Sequence, residues 1–397
     1  MSQTEVQLIK ADAVQTADIA NSAVTDAKIS ALTSSKLTGA LPAISGASLT
    51  NLPASGKAHN LVINGAMQVA QRGTSSTSTQ YQTVDRFKVF WTGHDENPTQ
   101  EQADVAAGTT PYTLGFRKSL KVTNGNQTSG AGADDYLIIR TILEAQDIAN
   151  SGWNYLSSSS NITLSFWVKS SVAQNFYGNV WSQDGTQYNY VFETGSLTAD
   201  TWTKITKTIP GNSNLTFNND NGEGLRLQLT PFLGTTTTGT RPLNAWAAFS
   251  SSTIQPDNTS TWWTTNDATF EITGLQLEVG SVATDFEHRS FAVEKSLCKR
   301  YYEELRPKLY ILARYSHHDG APYGQYHFNV EKRAAPTCSI DTTGGTFESS
   351  TGYSGNPSFT DTTVDSTTIY GANSVTAGGI LYLHTSSSGL LKFDAEL

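Results

Sequence analysis

The stretch Asn161-Ile-Thr-Leu-Ser-Phe-Trp-Val-Lys169 decides the fold class of this chain. Its large apolar residues recur at every second position: Ile162, Leu164, Phe166 and Val168. Alternate residues of a β-strand share one face of the sheet, whereas a helix would scatter the same positions around its circumference. The stretch therefore predicts a strand with one face in a hydrophobic core.

Three further segments extend this pattern. The leucines of 224–230 also alternate, and in 268–279 the apolar phase changes once, at Gly274, which predicts a β-bulge. Segment 176–192 carries Asp184-Gly185 at its centre, a residue pair favoured in tight hairpin turns. Strands and turns of this kind predict a mainly β chain with an antiparallel jelly-roll β-sandwich over 59–289.

The composition agrees with a β protein and excludes several classes. Only 15% of the 397 residues are charged, and 42 serines and 53 threonines replace helix-forming residues. The net charge of −9 argues against a nucleic-acid partner. Because there is no long apolar run and no signal-peptide pattern, we expect synthesis in a reducing cytoplasm without membrane insertion. Cys298 and Cys338 lack metal-ligand spacing, and we expect neither a metal nor a cofactor.

Residues 1–58 predict a fibrous segment. The first 80 residues contain no aromatic residue, and Ala13-Val14 and Ile19 recur ten residues later as Ala23-Val24 and Ile29. The larger apolar residues thus lie five positions apart, at Val14, Ile19, Val24 and Ile29. This spacing suits neither a lone helix nor a flat strand. Each repeat could bury its small apolar residues against other chains, which predicts a trimeric stalk, either a β-spiral or an Ala-rich coiled coil. The alternative is a disordered leader.

A helical connector is predicted over 290–306. Ser290 is suited to cap the helix, and Arg306-Pro307 would end it. The residues expected on its apolar face are Phe291, Cys298, Tyr301, Tyr302 and Leu305. Residues 307–397 then predict a β-rich distal domain, whose few aliphatic residues would bury only a thin core without oligomer contacts.

Two motifs that bracket the sandwich carry a family resemblance. Asn60-Leu-Val-Ile-Asn-Gly-Ala-Met-Gln-Val-Ala-Gln-Arg-Gly73, followed by Val84-Asp-Arg-Phe87, resembles the opening of a module common in bacteriophage tail-fibre and related virion appendage proteins. Gly274-Leu-Gln-Leu-Glu-Val-Gly-Ser-Val-Ala-Thr-Asp-Phe-Glu-His-Arg-Ser290, leading into Cys298-Lys-Arg-Tyr-Tyr302, is similar to its closing signature. The ending Asp394-Ala-Glu-Leu397 and the ten-residue repeats are also similar to such fibres.

The resemblance implies a trimeric appendage whose N-terminal stalk attaches to other virion proteins. It also implies a jelly-roll module similar to carbohydrate-binding modules. The family motifs are structural signatures, and no functional residue is carried over from them.

The first candidate glycan site lies in 175–190. Trp181, Tyr188 and Tyr190 flank the predicted hairpin turn, and Asp184 and Asn189 are interleaved with them. Aromatic faces stack on the apolar side of a sugar ring, and amides or carboxylates bind its hydroxyls. The alternative is that these rings only pack across strands or between subunits.

Two further candidates follow from the same chemistry. Trp262 and Trp263 are adjacent, so on a strand they would face opposite sides and at most one would be in the core. The loop 315–323 offers polar and aromatic side chains suited to a receptor: Tyr315, His317, His318, Asp319 and Tyr323. Neighbouring histidines diverge on a strand, which argues against a metal site there.

The sequence therefore predicts a homotrimeric tail fibre that adsorbs to a host surface polysaccharide or lipopolysaccharide without cleaving it. One alternative is a purely structural capsid or baseplate appendage. The other is a capsule-degrading tailspike, which would need two carboxylates at a set separation, and no pair in the sequence is distinguished for that role.

Overall fold

The structure is a computed structural model that describes residues 60–305, 311–315, 322–341, 347–348, 356–370, 381–385 and 389–397. Side chains are described throughout these ranges except in 311–315, 322–323, 347–348 and 381–385. The predicted stalk, residues 1–58, lies outside the described residues, as do His317, His318 and Asp319.

Twelve strands between residues 75 and 279 form two six-stranded antiparallel sheets. In chain order they are β1 (Ser75–Ser76), β2 (Lys88–Thr92), β3 (Thr99–Asp104), β4 (Lys118–Thr123), β5 (Tyr136–Glu144), β6 (Asn161–Ser170), β7 (Asn175–Ser182), β8 (Tyr188–Ser196), β9 (Thr203–Pro210), β10 (Glu223–Leu233), β11 (Trp246–Ala248) and β12 (Thr269–Val279). The first sheet has the order β1-β3-β4-β12-β6-β9 and the second the order β11-β8-β7-β10-β5-β2. The predicted antiparallel sandwich is confirmed.

The core lies between the two sheets and contains the residues that the alternation predicts. The residues buried in it are Ile162, Leu164, Phe166 and Val168 of β6 and Leu225, Leu227 and Leu229 of β10. The bulge in β12 is confirmed too, because its register against β6 shifts between Thr273 and Gln276. Gly274 has φ +64°, and a Cβ there would lie 2.6 Å from the Phe116 ring. Glycine satisfies both constraints at once.

The two motifs that bracket the sandwich lie against each other. Leu61 N donates to Leu277 O at 2.9 Å, and Leu275 N donates to Gly65 O at 2.9 Å. The Asn60 side chain bonds Leu275 O at 3.1 Å and Leu277 N at 3.1 Å. These contacts give both motifs a structural role, closing the module where its first and last segments meet.

Four helices accompany the strands between residues 60 and 305: α1 (Thr110–Thr113), α2 (Ala145–Ala149), α3 (Thr261–Thr264) and α4 (Phe291–Lys299). The Ser290 side chain caps α4 by accepting from Val293 N, as predicted. The predicted helix end is wrong, since α4 ends at Lys299 and residues 302–305 form a strand. Phe291 is 54% exposed and does not belong to a buried face, whereas Cys298 and Tyr301 are buried. None of the described helices is long and apolar enough to span a membrane.

The remaining described strands form two further antiparallel sheets. They are β13 (Tyr302–Leu305), β14 (Ile311–Tyr315), β15 (Pro322–His327), β16 (Thr337–Asp341), β17 (Phe347–Glu348), β18 (Ser358–Thr360), β19 (Ser366–Tyr370), β20 (Leu381–Thr385) and β21 (Leu390–Asp394). Their orders are β13-β21-β16 and β17-β20-β14-β15-β19-β18. A second buried cluster among the described residues consists of Phe328, Ile369, Leu391 and Phe393.

Candidate functional site

The aromatic candidates of the β7–β8 hairpin divide between the two faces of the second sheet. Val180 lies opposite Tyr190 and Trp181 lies opposite Asn189, and directly opposed residues share a face. Tyr190 is 3% exposed within the core, and Tyr188 packs against that core. The assignment of Tyr190 to a glycan site is therefore wrong, and Tyr188 serves core packing. Trp181 lies on the opposite, outer face.

On that outer face, Trp181 is 8% exposed because other groups cover it. The Phe249 ring stacks on it with centroids 3.9 Å apart and planes inclined by 15°. Trp181 Nε1 also donates to Gln187 Oε1 at 3.2 Å. Trp181 is therefore the buried partner of an aromatic stack, and Phe249 is its half-exposed partner.

The two polar candidates of the hairpin hold loops. Asp184 accepts from Asn218 N at 2.9 Å and Asn218 Nδ2 at 2.8 Å, which ties the hairpin turn to a neighbouring loop. Asn189 is 1% exposed; its Nδ2 donates to Ile254 O at 3.0 Å and its Oδ1 accepts from Arg241. Both side chains therefore hold neighbouring loops in place, and the groups that make these bonds are not free to bind a ligand.

The assignment of Trp262 and Trp263 to a glycan site is wrong. They lie on the short helix α3, not on a strand, and both are fully buried in the sandwich core. On a helix, adjacent residues are only about 100° apart, so both rings can enter one core. Trp262 Nε1 donates to Thr269 O at 3.0 Å and Trp263 Nε1 to Gly130 O at 3.0 Å, which satisfies both indoles.

Of the third candidate group, the structure describes only the backbone of two residues. Tyr315 lies on β14 and Tyr323 on the adjacent β15, with Tyr315 paired to Pro322. The loop that joins these strands lies outside the described residues. Among the residues that are described, no group of three or more His, Cys, Asp or Glu is placed to hold a metal ion.

Beside Trp181, the outer face of the second sheet carries an arrangement of cations, rings and amides. We call it the cationic patch and define it by Lys88, Phe90, Arg140, Trp181, Arg226 and Gln228. Lys88 of β2 and Gln228 of β10 lie directly opposite Arg140 of β5, and Arg226 lies opposite Trp181. The core-facing leucines of β10 alternate with Arg226 and Gln228, so the strand period itself places both residues on this face.

The patch is held together by cation–π contacts and hydrogen bonds. The Arg140 guanidinium lies over the Phe90 ring at 4.6 Å, and that of Arg226 lies over Trp181 at 4.7 Å. Arg140 Nε donates to Gln228 Oε1 at 2.6 Å, and Gln228 Nε2 donates to an amide oxygen of the strand next to it. These contacts fix the planes of both guanidinium groups on the sheet.

Positive charge is in excess on this patch. Burial, followed by the nearby charge of Arg226, lowers the pKa of Arg140 to about 10. Burial and the charge of Arg140 also lower the pKa of Lys88. The carboxylate paired within the patch is Glu223, whose Oε2 accepts from Arg226 Nε at 2.7 Å. Three cationic side chains thus face one carboxylate, and like charges are held together.

One buried donor beside the patch also lacks a partner. Asn179 is 1% exposed, and its Oδ1 accepts from Gln228 Nε2 at 3.3 Å. Its Nδ2 has no hydrogen-bond acceptor among the described residues. Buried amide groups usually have all their donors paired, so this donor is available for an incoming oxygen atom.

Sequence reasoning missed most of the patch, although two signals pointed to it. Arg140 is the charged residue of the mostly apolar run Leu137-Ile-Ile-Arg-Thr-Ile-Leu143, and Arg226 and Gln228 fall between the predicted core leucines. Phe249 carried no signal, because it reaches Trp181 from a loop that is distant in sequence.

Comparisons with known proteins give structural similarities only. No protein-family model matches the sequence, and no curated protein matches it. Among solved structures, the enzymatically active domain of tailspike protein 4 of bacteriophage CBA120 has 10% identity and a TM-score of 0.29, over 56% of this chain and 21% of that chain. The N-terminal cellulose-binding domain of Cellulomonas fimi β-1,4-glucanase C has 8% identity and a TM-score of 0.27, over 54% and 99% of the two chains. A family 11 carbohydrate-binding module of Clostridium thermocellum, in complex with a β-1,3-1,4-mixed-linked tetrasaccharide, has 11% identity and a TM-score of 0.24, over 53% and 98%.

Proposed function

We propose that this chain is a trimeric bacteriophage tail fibre that binds a host surface glycan through the cationic patch without cleaving it. The observation that carries the proposal is the combination of half-buried rings, guanidinium groups and amides on one sheet face. Phe90 of the patch and Phe249, which stacks on Trp181 of the patch, offer apolar surface for a sugar ring. Arg140 and Gln228 offer polar groups for its oxygen atoms.

The virion assignment is supported by the resemblance of the two bracketing motifs to those of phage appendage proteins. Their contacts with each other explain why such motifs recur as a pair in one module. A trimer and a position on the virion are parts of the same proposal. Light scattering of the full chain tests the trimer: we expect about three times the chain mass of 42.8 kDa, and a stable monomer would contradict it.

The carboxylates near the patch support the proposal that binding occurs without cleavage. Hydrolysis of a glycosidic bond requires two carboxyl groups facing one bond, an acid and a base or nucleophile. Among the described residues that contact the patch, Glu223 is the carboxylate, and it is engaged as the ion-pair partner of Arg226. A single paired carboxylate supports binding over hydrolysis.

The binding test uses the full chain and a panel of bacterial capsular polysaccharides and lipopolysaccharides, both neutral and acidic, measured by biolayer interferometry. We expect binding to at least one member and an affinity at least about tenfold weaker for Phe249→Ala, the effect of losing one aromatic anchor. Tyr112→Ala is the matched control, since Tyr112 also packs against a guanidinium, that of Arg117 at 3.9 Å, but lies outside the patch.

Each outcome separates the candidate functions. No binding to any member of the panel would contradict the proposal and favour a purely structural appendage. Binding that both variants retain would place the glycan elsewhere on the chain. Release of new reducing ends from a bound polysaccharide would contradict the non-cleaving part and favour a capsule-degrading spike.

A further inference from the structure

We infer that the glycan bound by the cationic patch is an acidic one, whose sugar carboxylates or phosphates pair with Arg140 and Lys88. This inference rests on the proposed function and names the class of its ligand.

The first step is the register of the three cationic side chains. Lys88, Arg140 and Arg226 come from the adjacent strands β2, β5 and β10, and Lys88 is directly opposite Arg140. Side chains directly opposite each other in a sheet have Cβ atoms about 5 Å apart, and like charges so placed destabilise the pair. The sheet therefore holds a repulsive arrangement in the absence of a counter-charge.

The second step is the lack of carboxylates for two of the three cations. Glu223 lies against Arg226, while no ion pair joins Arg140 or Lys88 to a carboxylate among the described residues. One negative charge set against three positive charges leaves an excess of two on the patch. The whole chain has a net charge of −9, so this excess runs opposite to the overall balance.

The third step is the geometry of Arg140. Its Nε is occupied by Gln228 Oε1 at 2.6 Å and its face by the Phe90 ring at 4.6 Å. Its two Nη atoms carry no hydrogen bond to any described residue. A guanidinium fixed in this way presents parallel N–H groups, which match the two oxygens of a carboxylate or phosphate. A neutral sugar hydroxyl could accept one of these bonds but would leave the charge uncompensated.

The buried Asn179 Nδ2 is an independent sign of a missing acceptor. It lies beside Gln228, which bonds both Asn179 and Arg140. In the sheet register Gln228 lies between Asn179 and Arg140, so one continuous set of amide and guanidinium groups runs across the patch.

The test takes every member of the polysaccharide panel that binds the full chain and presents it in three forms: native, carboxyl-reduced, and dephosphorylated with hydrofluoric acid. Dextran serves as the neutral probe. We expect the affinity of each binder to fall at least about tenfold after one of the two treatments. A decrease of this size corresponds to the loss of one charge-assisted contact. The treatment that matters identifies carboxylate or phosphate as the recognised group. Raising the salt concentration should weaken binding of the native, untreated glycan.

Two variants test the residues. Arg140→Met should weaken binding of the native acidic glycan by about tenfold or more. Lys88→Met should weaken it about threefold or more and also reduce the salt dependence. Lys88 makes no hydrogen bond to a described residue, so its replacement removes charge without leaving a partner unsatisfied. Arg117→Met is the control, because Arg117 also lies over an aromatic ring but outside the patch.

Binding that survives both chemical treatments, or equal binding to dextran, would overturn the acidic-ligand inference and leave the proposed glycan-binding function standing. Unchanged binding and salt dependence in both Arg140→Met and Lys88→Met would also overturn it. A failure of every acidic and neutral member to bind would overturn the proposed function, and the inference with it.

Discussion

Replacing Glu396 by glutamine should destabilise the folded chain by about 3 kcal/mol. Glu396 is the carboxylate partner of two buried arginines: Arg86, whose side chain is 2% exposed, and Arg72, whose side chain is 9% exposed. Arg72 Nη1 lies 3.4 Å from Glu396 Oε1, and Arg86 Nη1 contacts Glu396 Oε2. The variant removes the negative charge between them while keeping the size of the side chain.

The magnitude follows from what Arg86 keeps. Breaking a buried ion pair from one side typically costs about 3–5 kcal/mol, because a desolvated charge remains. Arg86 still donates to Ile142 O at 2.5 Å and lies 3.3 Å from the centre of the Tyr301 ring. The glutamine also keeps one acceptor oxygen. Both facts place the expected cost at the lower end of that range.

The assay is urea unfolding of the full chain, followed by tryptophan fluorescence, with the free energy of unfolding compared between variants. Asp104→Asn is the control, because Asp104 pairs with Lys118 at 2.6 Å while 82% of the aspartate side chain is exposed. An exposed pair of this kind contributes about 0–1 kcal/mol. A Glu396→Gln variant within about 1 kcal/mol of the unaltered chain would refute the assignment of Glu396 as the counter-charge of Arg86.

Two further predictions concern the sandwich. Gly274→Ala should lower the unfolding free energy by about 2–4 kcal/mol, because φ is +64° and the new Cβ would meet the Phe116 ring. The control is Gly108→Ala, where φ is +86° but no atom lies within 4 Å of the new Cβ, and its loss should be clearly smaller. Equal losses in the two variants would refute the steric argument. Burial raises the pKa of Asp85 to about 6, so the folded state holds this proton more tightly than the unfolded state, whose ordinary value is 3.8. The stability contributed is full below about pH 3 and is lost as the pH rises through 6. The unfolding free energy of the unaltered chain minus that of Asp85→Asn should therefore fall by about 3 kcal/mol from pH 3 to 7, and a flat or rising difference would contradict it.

The sandwich could be predicted because the apolar patterns that determine its strands lie within short segments of sequence. The apolar alternation in 161–169 and 224–230 is confirmed, since a period of two determines which side chains enter the core whatever strand lies alongside. The bulge at Gly274 is also confirmed. It could be predicted because the change in phase of the apolar residues occurs within one continuous segment.

The helix end at 302–305 could not be predicted because a distant partner determines it. Residues 302–305 pair with Leu391–Asp394, nearly 90 residues further along the chain. Within this strand, Glu303 is 1% exposed and accepts a hydrogen bond from Lys332 Nζ at 2.6 Å. Such long-range pairing overrides local helix propensity and leaves no sign in the local sequence.

The candidate site shows the same division. Trp181 could be singled out because aromatic residues near a turn signal are visible in sequence, but its companions on the patch come from three separate strands. Trp262 and Trp263 were misassigned because a strand was assumed where the chain forms one turn of helix. Composition identifies the residue types that bind sugars, whereas only the sheet order identifies which of them share a face.

The chain uses arginine in two contrasting ways, and the contrast bears on function. The hydrogen bonds that Arg300 donates to Glu144 raise the pKa of Arg300. Burial lowers the pKa of Arg86, but the combined attraction of Glu396 and the nearby Tyr301 and Tyr81 more than offsets burial, so the pKa of that group is raised as well. No ion pair joins Arg140 to a carboxylate among the described residues, and burial and the charge of Arg226 lower its pKa more than the nearby charge of Glu223 raises it. Acidic residues outnumber basic ones by 35 to 26, so counter-charges are not scarce in this chain. The fold supplies a carboxylate to Arg86 and to Arg300. On the acidic-glycan proposal, the ligand supplies the negative charge that faces the outer edge of the Arg140 side chain.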